Sequence, residues 1–131
     1  YKFRYYLGNV YGFSSTSSLE YSILAATSPD IVTNFVISRN LNLISFTWNP
    51  IVDNGSPIIE ITIEIESISG VWSKLVGNNC DSSVNLLMIT TNSCQLDINI
   101  FGIAPHLLVI NSPIKAKIKS KNVIKEQSVY T

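Results

Sequence analysis

The sequence predicts an all-β protein built from antiparallel strands. Apolar and polar residues alternate with a period of two in most segments, β-branched residues dominate those segments, and turn-forming residues separate them. Such alternation is typical of strands buried on one face, and β-branched side chains suit a pleated surface. No segment has a long, regular helical period. Several short strands between turn signals favour a sandwich or a barrel.

Three segments show the alternation most clearly, namely residues 43–48, 58–66 and 114–121. In each of them, every second side chain is predicted to point into the core. Residues 71–76 and 93–98 are predicted to be two shorter strands. The predicted inward residues of the three main strands are Ile44, Phe46 and Trp48, then Ile59, Ile61, Ile63 and Ile65, then Ile114, Ala116, Ile118 and Ser120.

Composition excludes several classes of function. The 131 residues are 46% hydrophobic and 14% charged with a net charge of zero, which predicts a packed core and no nucleic-acid partner. The longest apolar stretch, residues 100–110, is interrupted by Gly102, Pro105 and His106, so no membrane insertion is expected. Because the first residue is Tyr1, we expect a processed product or a piece of a longer chain.

The sequence carries no recognisable catalytic constellation. His106 is the only histidine and has no nucleophile or carboxylate nearby in sequence, so it is predicted to be a loop residue. Asp53 and Asp81 lie in turns without the spaced oxygen ligands of a calcium loop. Two cysteines and one histidine cannot complete a tetrahedral metal site. We therefore expect no enzyme activity, no metal and no cofactor.

Three features leave alternatives open at this stage. Cys80 and Cys94 are an even pair at close spacing, which permits a disulfide but also suits two buried thiols of a cytosolic domain. Asn54 begins an Asn-Gly-Ser acceptor sequence for an N-linked glycan, although Asn-Gly is also an ordinary turn. The serine-rich residues 14–18 fit an O-glycan or a plain polar loop.

Residues 44–65, "ISFTWNPIVDNGSPIIEITIEI", resemble the B strand, B–C loop and C strand of a fibronectin type III domain. Trp48 and Pro50 match the family's tryptophan and following proline, whereas Ile61 replaces its C-strand tyrosine. The resemblance implies an antiparallel, immunoglobulin-like β-sandwich of the fibronectin type III class.

The first residues, "YKFRYYLGNVYGFSSTSS", resemble the F strand and F–G turn of the same family, with Tyr1, Phe3 and Tyr5 facing a core. Residues 19–26 would then be strand G. The last residues, "IKAKIKSKNVIKEQSVYT", resemble the same F strand and turn, with Ile114 at the position of Tyr1 and Lys125 at that of Gly12. The resemblance implies that residues 1–27 are the F–G hairpin of a preceding unit. Residues 28–131 would be strands A to F of the next unit, with strand G incomplete.

The cysteine pair and the strands around it are similar to the cysteine-bearing repeats of large surface proteins of ciliated protists. This resemblance implies a Cys80–Cys94 disulfide and an extracellular or cell-surface location. The fibronectin type III resemblance implies that strands C and F are antiparallel neighbours, so their outward charges would face each other. We favour mutual neutralisation of these charges over a surface for an anionic partner. The charges are Glu60, Glu64, Glu66, Lys115, Lys117, Lys119 and Lys121.

The resemblance implies a structural repeat of a long tandem-domain protein whose partners are neighbouring copies of the same repeat, in one polypeptide or in a filament of subunits. Tyr11, Phe13, Pro29 and Asp30 are the candidates for contact between domains. The alternative is a receptor or adhesion module that binds a protein or glycan through its B–C and F–G loops. A third alternative is the accessory domain of an enzyme.

Overall fold

The computed structural model describes residues 1–124, and these residues confirm an all-β chain with antiparallel sheets. A hairpin at the start has four two-residue strands: β1 (Lys2–Phe3), β2 (Gly8–Asn9), β3 (Gly12–Phe13) and β4 (Tyr21–Ser22). The body has β5 (Val36–Asn40), β6 (Leu43–Thr47), β7 (Ile58–Glu66), β8 (Trp72–Lys74), β9 (Ser93–Asp97) and β10 (Ala116–Asn122). One helical turn, α1 (Leu87–Thr91), precedes β9, and a 3-10 turn (Ile98–Gly102) follows it.

The body consists of two three-stranded sheets, in the orders β5-β6-β9 and β10-β7-β8. In the first sheet Phe46 pairs with Ile37 on one side and with Cys94 on the other. In the second sheet Ile63 pairs with Ile118. The apolar sides of both sheets enter one core, which the alternation of β6, β7 and β10 predicts. The buried apolar members of the core include Val32, Ile44, Phe46, Trp48, Ile61, Ile63, Ile65, Leu75, Met88, Leu96, Phe101 and Ile118.

Some predicted inward positions are wrong. Ile59 is 45% exposed, because the register with β10 shifts at this point and Asn122 pairs with Ile58 instead. Thr62, which the alternation predicts to face outward, is buried. Ile114 and Ala116 are only half-buried, since Ile114 precedes and Ala116 begins an outer strand of the sheet. Period-two reasoning therefore fails where a strand bulges or ends.

Residues 1–24 form a hairpin outside the two sheets, with Phe3 opposite Tyr21 and an ion pair of 2.7 Å between Lys2 Nζ and Glu20 Oε1. Tyr1, Phe3 and Tyr5, predicted to face a core, are all more than half exposed. No sheet covers them within residues 1–124, and the core that they are predicted to face belongs to a preceding unit, so this stays a prediction. The predicted strand 19–26 shortens to Tyr21–Ser22. The predicted turn of residues 125–131 lies outside the described residues.

No helix within residues 1–124 has both the length and the apolar character needed to cross a bilayer.

Candidate functional site

The linker of residues 25–30 is hydrogen-bonded to the loop between β6 and β7. Thr27 N donates to Asn54 O at 3.2 Å, and Asp30 N donates to Val52 O at 3.0 Å. The Asn54 amide donates to Ser28 O at 2.9 Å and to Asp30 Oδ1 at 2.8 Å. Four hydrogen bonds over a few residues hold the base of the hairpin in one place against the body.

The backbone of Asn54 and Gly55 permits this close approach. Asn54 has a φ of 53° and Gly55 a φ of 88°, both in the left-handed region that asparagine and glycine tolerate best. A Cβ atom on Gly55 would lie 2.8 Å from Ala25 O. The Asn-Gly pair thus acts here as a structural turn. Glycosylation of Asn54 stays a prediction, and the acceptor nitrogen already donates two hydrogen bonds to the linker.

Asn122, at the end of β10, adds a third anchor. Its side chain is fully buried and its amide donates to Thr27 O at 2.7 Å and to Asp53 O at 3.0 Å. One side chain thereby joins the last strand, the linker and the β6–β7 loop. The sequence offers no signal for this role, because the three segments are far apart along the chain. We call Asn54, Asn122 and residues 25–30 the linker clamp.

The four candidates for contact between domains fall into two places. Pro29 is buried and Asp30 exposed within the linker clamp. Tyr11 and Phe13 lie at the tip of the hairpin, where they are 95% and 81% exposed. The structure therefore divides these residues between the base and the tip of the hairpin.

Cys80 and Cys94 form a disulfide, which confirms the predicted bond. The two Cα atoms are 5.3 Å apart, and both residues are buried. The bond joins the segment after β8 to β9 and closes the loop that carries α1, whose Met88 enters the core. A disulfide is compatible with an oxidising, extracellular environment.

The acidic and basic residues of β7 and β10 lie opposite each other in the antiparallel ladder. Lys117 Nζ lies 3.0 Å from Glu64 Oε2, and Lys115 Nζ lies 2.7 Å from Glu66 Oε2. Lys121 Nζ is 4.0 Å from Glu60 Oε2, and Lys119 pairs with Thr62 in the register. Lys115, Lys117 and Lys121 are thus next to carboxylates of the same sheet, which favours mutual neutralisation.

Lys74 of β8 is a member of this charged surface that sequence reasoning missed. Its Nζ donates to Glu60 Oε1 at 2.6 Å. This hydrogen bond holds the pKa of Glu60 below its ordinary value, against the opposing effect of burial. The side chain of Lys117 also lies 4.6 Å from the centre of the Trp72 ring. The sequence feature that could have identified Lys74 as part of this surface is its outward position in a short strand beside β7.

Asp81 organises the loop after β8. Its carboxylate accepts hydrogen bonds from Gly77 N at 2.8 Å, Ser83 N at 3.0 Å and Ser83 Oγ at 2.7 Å. Burial alone would raise the pKa of Asp81, but these hydrogen bonds outweigh it and the pKa lies below its ordinary value. The sequence predicted a turn residue and missed the burial. Asp81 holds the segment in which Cys80 lies.

His106 lies in a turn, as predicted, and its side chain is buried, which the sequence did not indicate. Its Nδ1 lies 3.0 Å from Ser73 Oγ, and its ring packs 6.0 Å from that of Phe101. Burial lowers the pKa of the imidazole. The hydrogen bond to Ser73 and the aromatic contact fit a neutral histidine packed beneath the β8 end of the sheet. In the described part of the chain, no three His, Cys, Asp or Glu side chains are placed to hold a metal ion.

An apolar groove of about 620 Å³ opens between β5 and the segment that leads into β10. It lies at the opposite end of the sheets from the linker clamp, because Ile44 lies near the start of β6 and Ile114 precedes β10. We call it the end groove. Its apolar lining includes Ile37, Ile44, Ile98, Phe101, Leu108 and Ile114.

No protein-family model matches the chain, and no curated protein shows significant similarity to it. Inferences about its function therefore depend on the geometry of its own residues.

Proposed function

We propose that this chain is a structural repeat of a long extracellular or cell-surface protein, and that it acts through contacts between neighbouring domains. The observation that carries the proposal is the hairpin of residues 1–24. Its apolar side chains are exposed, while its base is hydrogen-bonded to the body by the linker clamp. A two-stranded hairpin is marginally stable alone in water. A neighbouring unit that covers the hairpin would remove this instability.

We propose the fibronectin type III class for the body. The orders β5-β6-β9 and β10-β7-β8 suit the A-B-E and C′-C-F sheets of that class, and no strand in the position of G lies within residues 1–124. The aromatic residue Trp48 is buried at the end of the second of these strands, as the resemblance implies. The hairpin would then be the F–G hairpin of the preceding unit.

The disulfide supports an oxidising location outside the cell, since such bonds are rare in the cytosol. The linker clamp supports a tandem arrangement, because it fixes the position at which the hairpin, as part of the preceding unit, joins the body. The flexible linkers between independent modules are usually exposed and poorly bonded. Here the linker is anchored by Asn54 and Asn122, so consecutive units would keep a defined geometry.

A recognition module is the second candidate, and one observation favours it. Tyr11 and Phe13 present two aromatic rings at the hairpin tip, and exposed aromatic residues are common anchors of protein interfaces. In this case a protein or glycan partner would bind at the tip, and the rest of the hairpin would stay exposed.

A two-copy chain tests the proposal. Because Tyr1 corresponds to Ile114, residues 1–113 followed by residues 1–131 would place the second copy's hairpin where the first copy has lost its own last strand. We expect hydrogen exchange of amides 2–24 in this internal hairpin to slow by at least about tenfold relative to the single chain. Equal exchange in the two chains would reject the structural repeat. Equal exchange in the two chains, with protection of the tip only when a protein or glycan partner is added, would favour the recognition module.

A further inference from the structure

Asn9 and Asn122 form the same local turn. In each of them the side-chain Oδ1 accepts a hydrogen bond from the backbone N–H two residues later. The donor to Asn9 is Tyr11 N at 2.9 Å, and the donor to Asn122 is Ile124 N at 3.0 Å. The two asparagines end the two segments of the chain that resemble each other, "YKFRYYLGN" and "IKAKIKSKN". The structure of the turn therefore repeats together with the sequence pattern.

The first strand of the hairpin turns outward the same edge that β10 turns toward β7. Ile23 N donates to Tyr1 O at 2.8 Å, so the backbone groups of Tyr1 point toward β4. Backbone groups of successive residues in a strand point to opposite edges, so those of Lys2 point away from β4. In the body, Glu66 N donates at 3.1 Å to the carbonyl oxygen of Lys115, the counterpart of Lys2. The hairpin can therefore pair with the β7 of a preceding unit as β10 pairs with β7 here.

The two asparagines differ in the surroundings of their amide groups. Asn122 is fully buried, and its Nδ2 donates to Thr27 O at 2.7 Å and to Asp53 O at 3.0 Å. Asn9 is exposed, and within residues 1–124 its Nδ2 has no hydrogen-bond acceptor. Asn9 thus has the turn of a clamp residue without the two carbonyl groups that the linker clamp supplies to Asn122.

The turn alone does not require an asparagine. Aspartate forms the same turn, because only the side-chain oxygen takes part in it. Asparagine adds two N–H donors, which can bridge two carbonyl groups when the side chain is buried. At Asn122 both acceptors are backbone carbonyls. A preceding unit of the same fold offers such carbonyls at the equivalent positions, whatever its side chains are.

We propose that Asn9 is the clamp residue of the preceding unit, where its amide donates to the two backbone carbonyls equivalent to Thr27 O and Asp53 O. This inference rests on the proposed function, and it identifies the side chain and the acceptors that fix the hairpin in that unit. The length of the strand agrees with it. The chain from Tyr1 to Asn9 covers up to about 26 Å at about 3.3 Å per residue, so Asn9 reaches the far end of a unit, as the end of β10 does.

The substitution Asn9→Asp separates the turn from the clamp. It keeps an oxygen that accepts from Tyr11 N, and it removes both N–H donors of the side chain. The substitution is made in one copy at a time of the two-copy chain, residues 1–113 followed by residues 1–131. The second copy's Asn9 has a unit before it, whereas the first copy's Asn9 has none and provides the matched control.

Hydrogen exchange of amides 2–24 provides the measurement, with an isotope label in the substituted copy alone. In the second copy, Asn9→Asp should make this exchange at least about tenfold faster than in the native two-copy chain, because two buried hydrogen bonds are lost. In the first copy, exchange should change by less than about twofold, as for an exposed side chain. Asn122→Asp in the single chain breaks the observed pair of bonds and should speed exchange of the Thr27 amide at least about tenfold.

Several results would overturn the inference. Slow exchange that persists in the second copy after Asn9→Asp would leave the structural repeat standing and remove Asn9 from its contact. Equal acceleration in both copies would show that the substitution acts through the turn alone, and no effect of Asn122→Asp at Thr27 would show that such a pair of bonds fixes nothing. Fast exchange of the internal hairpin in the native two-copy chain would reject the structural repeat and the inference together. A circular dichroism spectrum equal to that of the native two-copy chain shows that the variant is folded.

Discussion

Removal of the Cys80–Cys94 cross-link should destabilise the body by an amount that the loop length determines. The two cysteines are 14 positions apart, so the bond closes a loop of about 15 residues. In the chain-entropy model, breaking the bond increases the conformational entropy of the unfolded chain. The free energy of unfolding then falls by about 3 kcal/mol. For a domain of about 100 residues this corresponds to a melting temperature lower by roughly 10–15 °C.

Two comparisons separate the cross-link from the packing of the sulfur atoms. The native chain in its oxidised and reduced forms keeps both sulfur atoms and differs only in the bond. The variant Cys80→Ala with Cys94→Ala also removes both buried sulfur atoms, which we expect to cost about 1 kcal/mol each, as for a buried methylene group. The reduced native chain should therefore be more stable than the double variant and less stable than the oxidised chain.

Urea unfolding followed by tryptophan fluorescence is a suitable assay, because Trp48 is buried in the core. We expect the free energy of unfolding to fall by about 3 kcal/mol on reduction. The slope of the free energy of unfolding against urea concentration should become steeper, since an unfolded chain without the cross-link exposes more surface. The double variant should not respond to reductant. A difference below about 1 kcal/mol between the oxidised and reduced chains would refute the loop-entropy reasoning.

Three further predictions concern side chains of the fold. Asn54→Gly should lower the free energy of unfolding by about 1–2 kcal/mol, because the hydrogen bonds to Ser28 O and Asp30 Oδ1 are lost. Asn54→Ala should lower it by about 1 kcal/mol more, because the φ of 53° at this position is unfavourable for alanine. Urea unfolding measures both effects, and equal stability of Asn54→Ala and the native chain would contradict the linker clamp. Burial depresses the pKa of His106, so the unfolded chain binds the proton more readily than the folded chain. The free energy of unfolding should therefore fall as pH drops below about 6.5, by at most about 1.4 kcal/mol per pH unit, and His106→Asn should remove this slope. The carboxylates with a lowered pKa affect stability only below about pH 4.5. A double-mutant cycle of Glu64→Gln and Lys117→Met should give a coupling energy below about 1 kcal/mol that weakens in 1 M salt. A larger coupling energy that does not depend on salt would show that the pair does more than neutralise charge.

The inward faces of β6 and β7 could be predicted from alternation because burial on one side imposes a period of two. The prediction held for Phe46 and Ile63, which have no exposed surface, and failed for Ile59, where the register shifts. The α1 turn was missed, since its five residues have no helical cap and are too few for a helical period. The environment of His106 was missed because Ser73 and Phe101, which enclose it, come from other segments.

The sequence by itself determined the class of the protein and the faces of its longest strands. Local alternation reports the side on which each strand is buried, and this information is present in consecutive residues. The tertiary structure alone decided that Asn122 joins β10 to Thr27 and Asp53, that Lys74 reaches Glu60, and that an apolar hairpin and an apolar groove lie at opposite ends of the body. These features depend on which distant segments meet, and a strand pattern does not specify its neighbours.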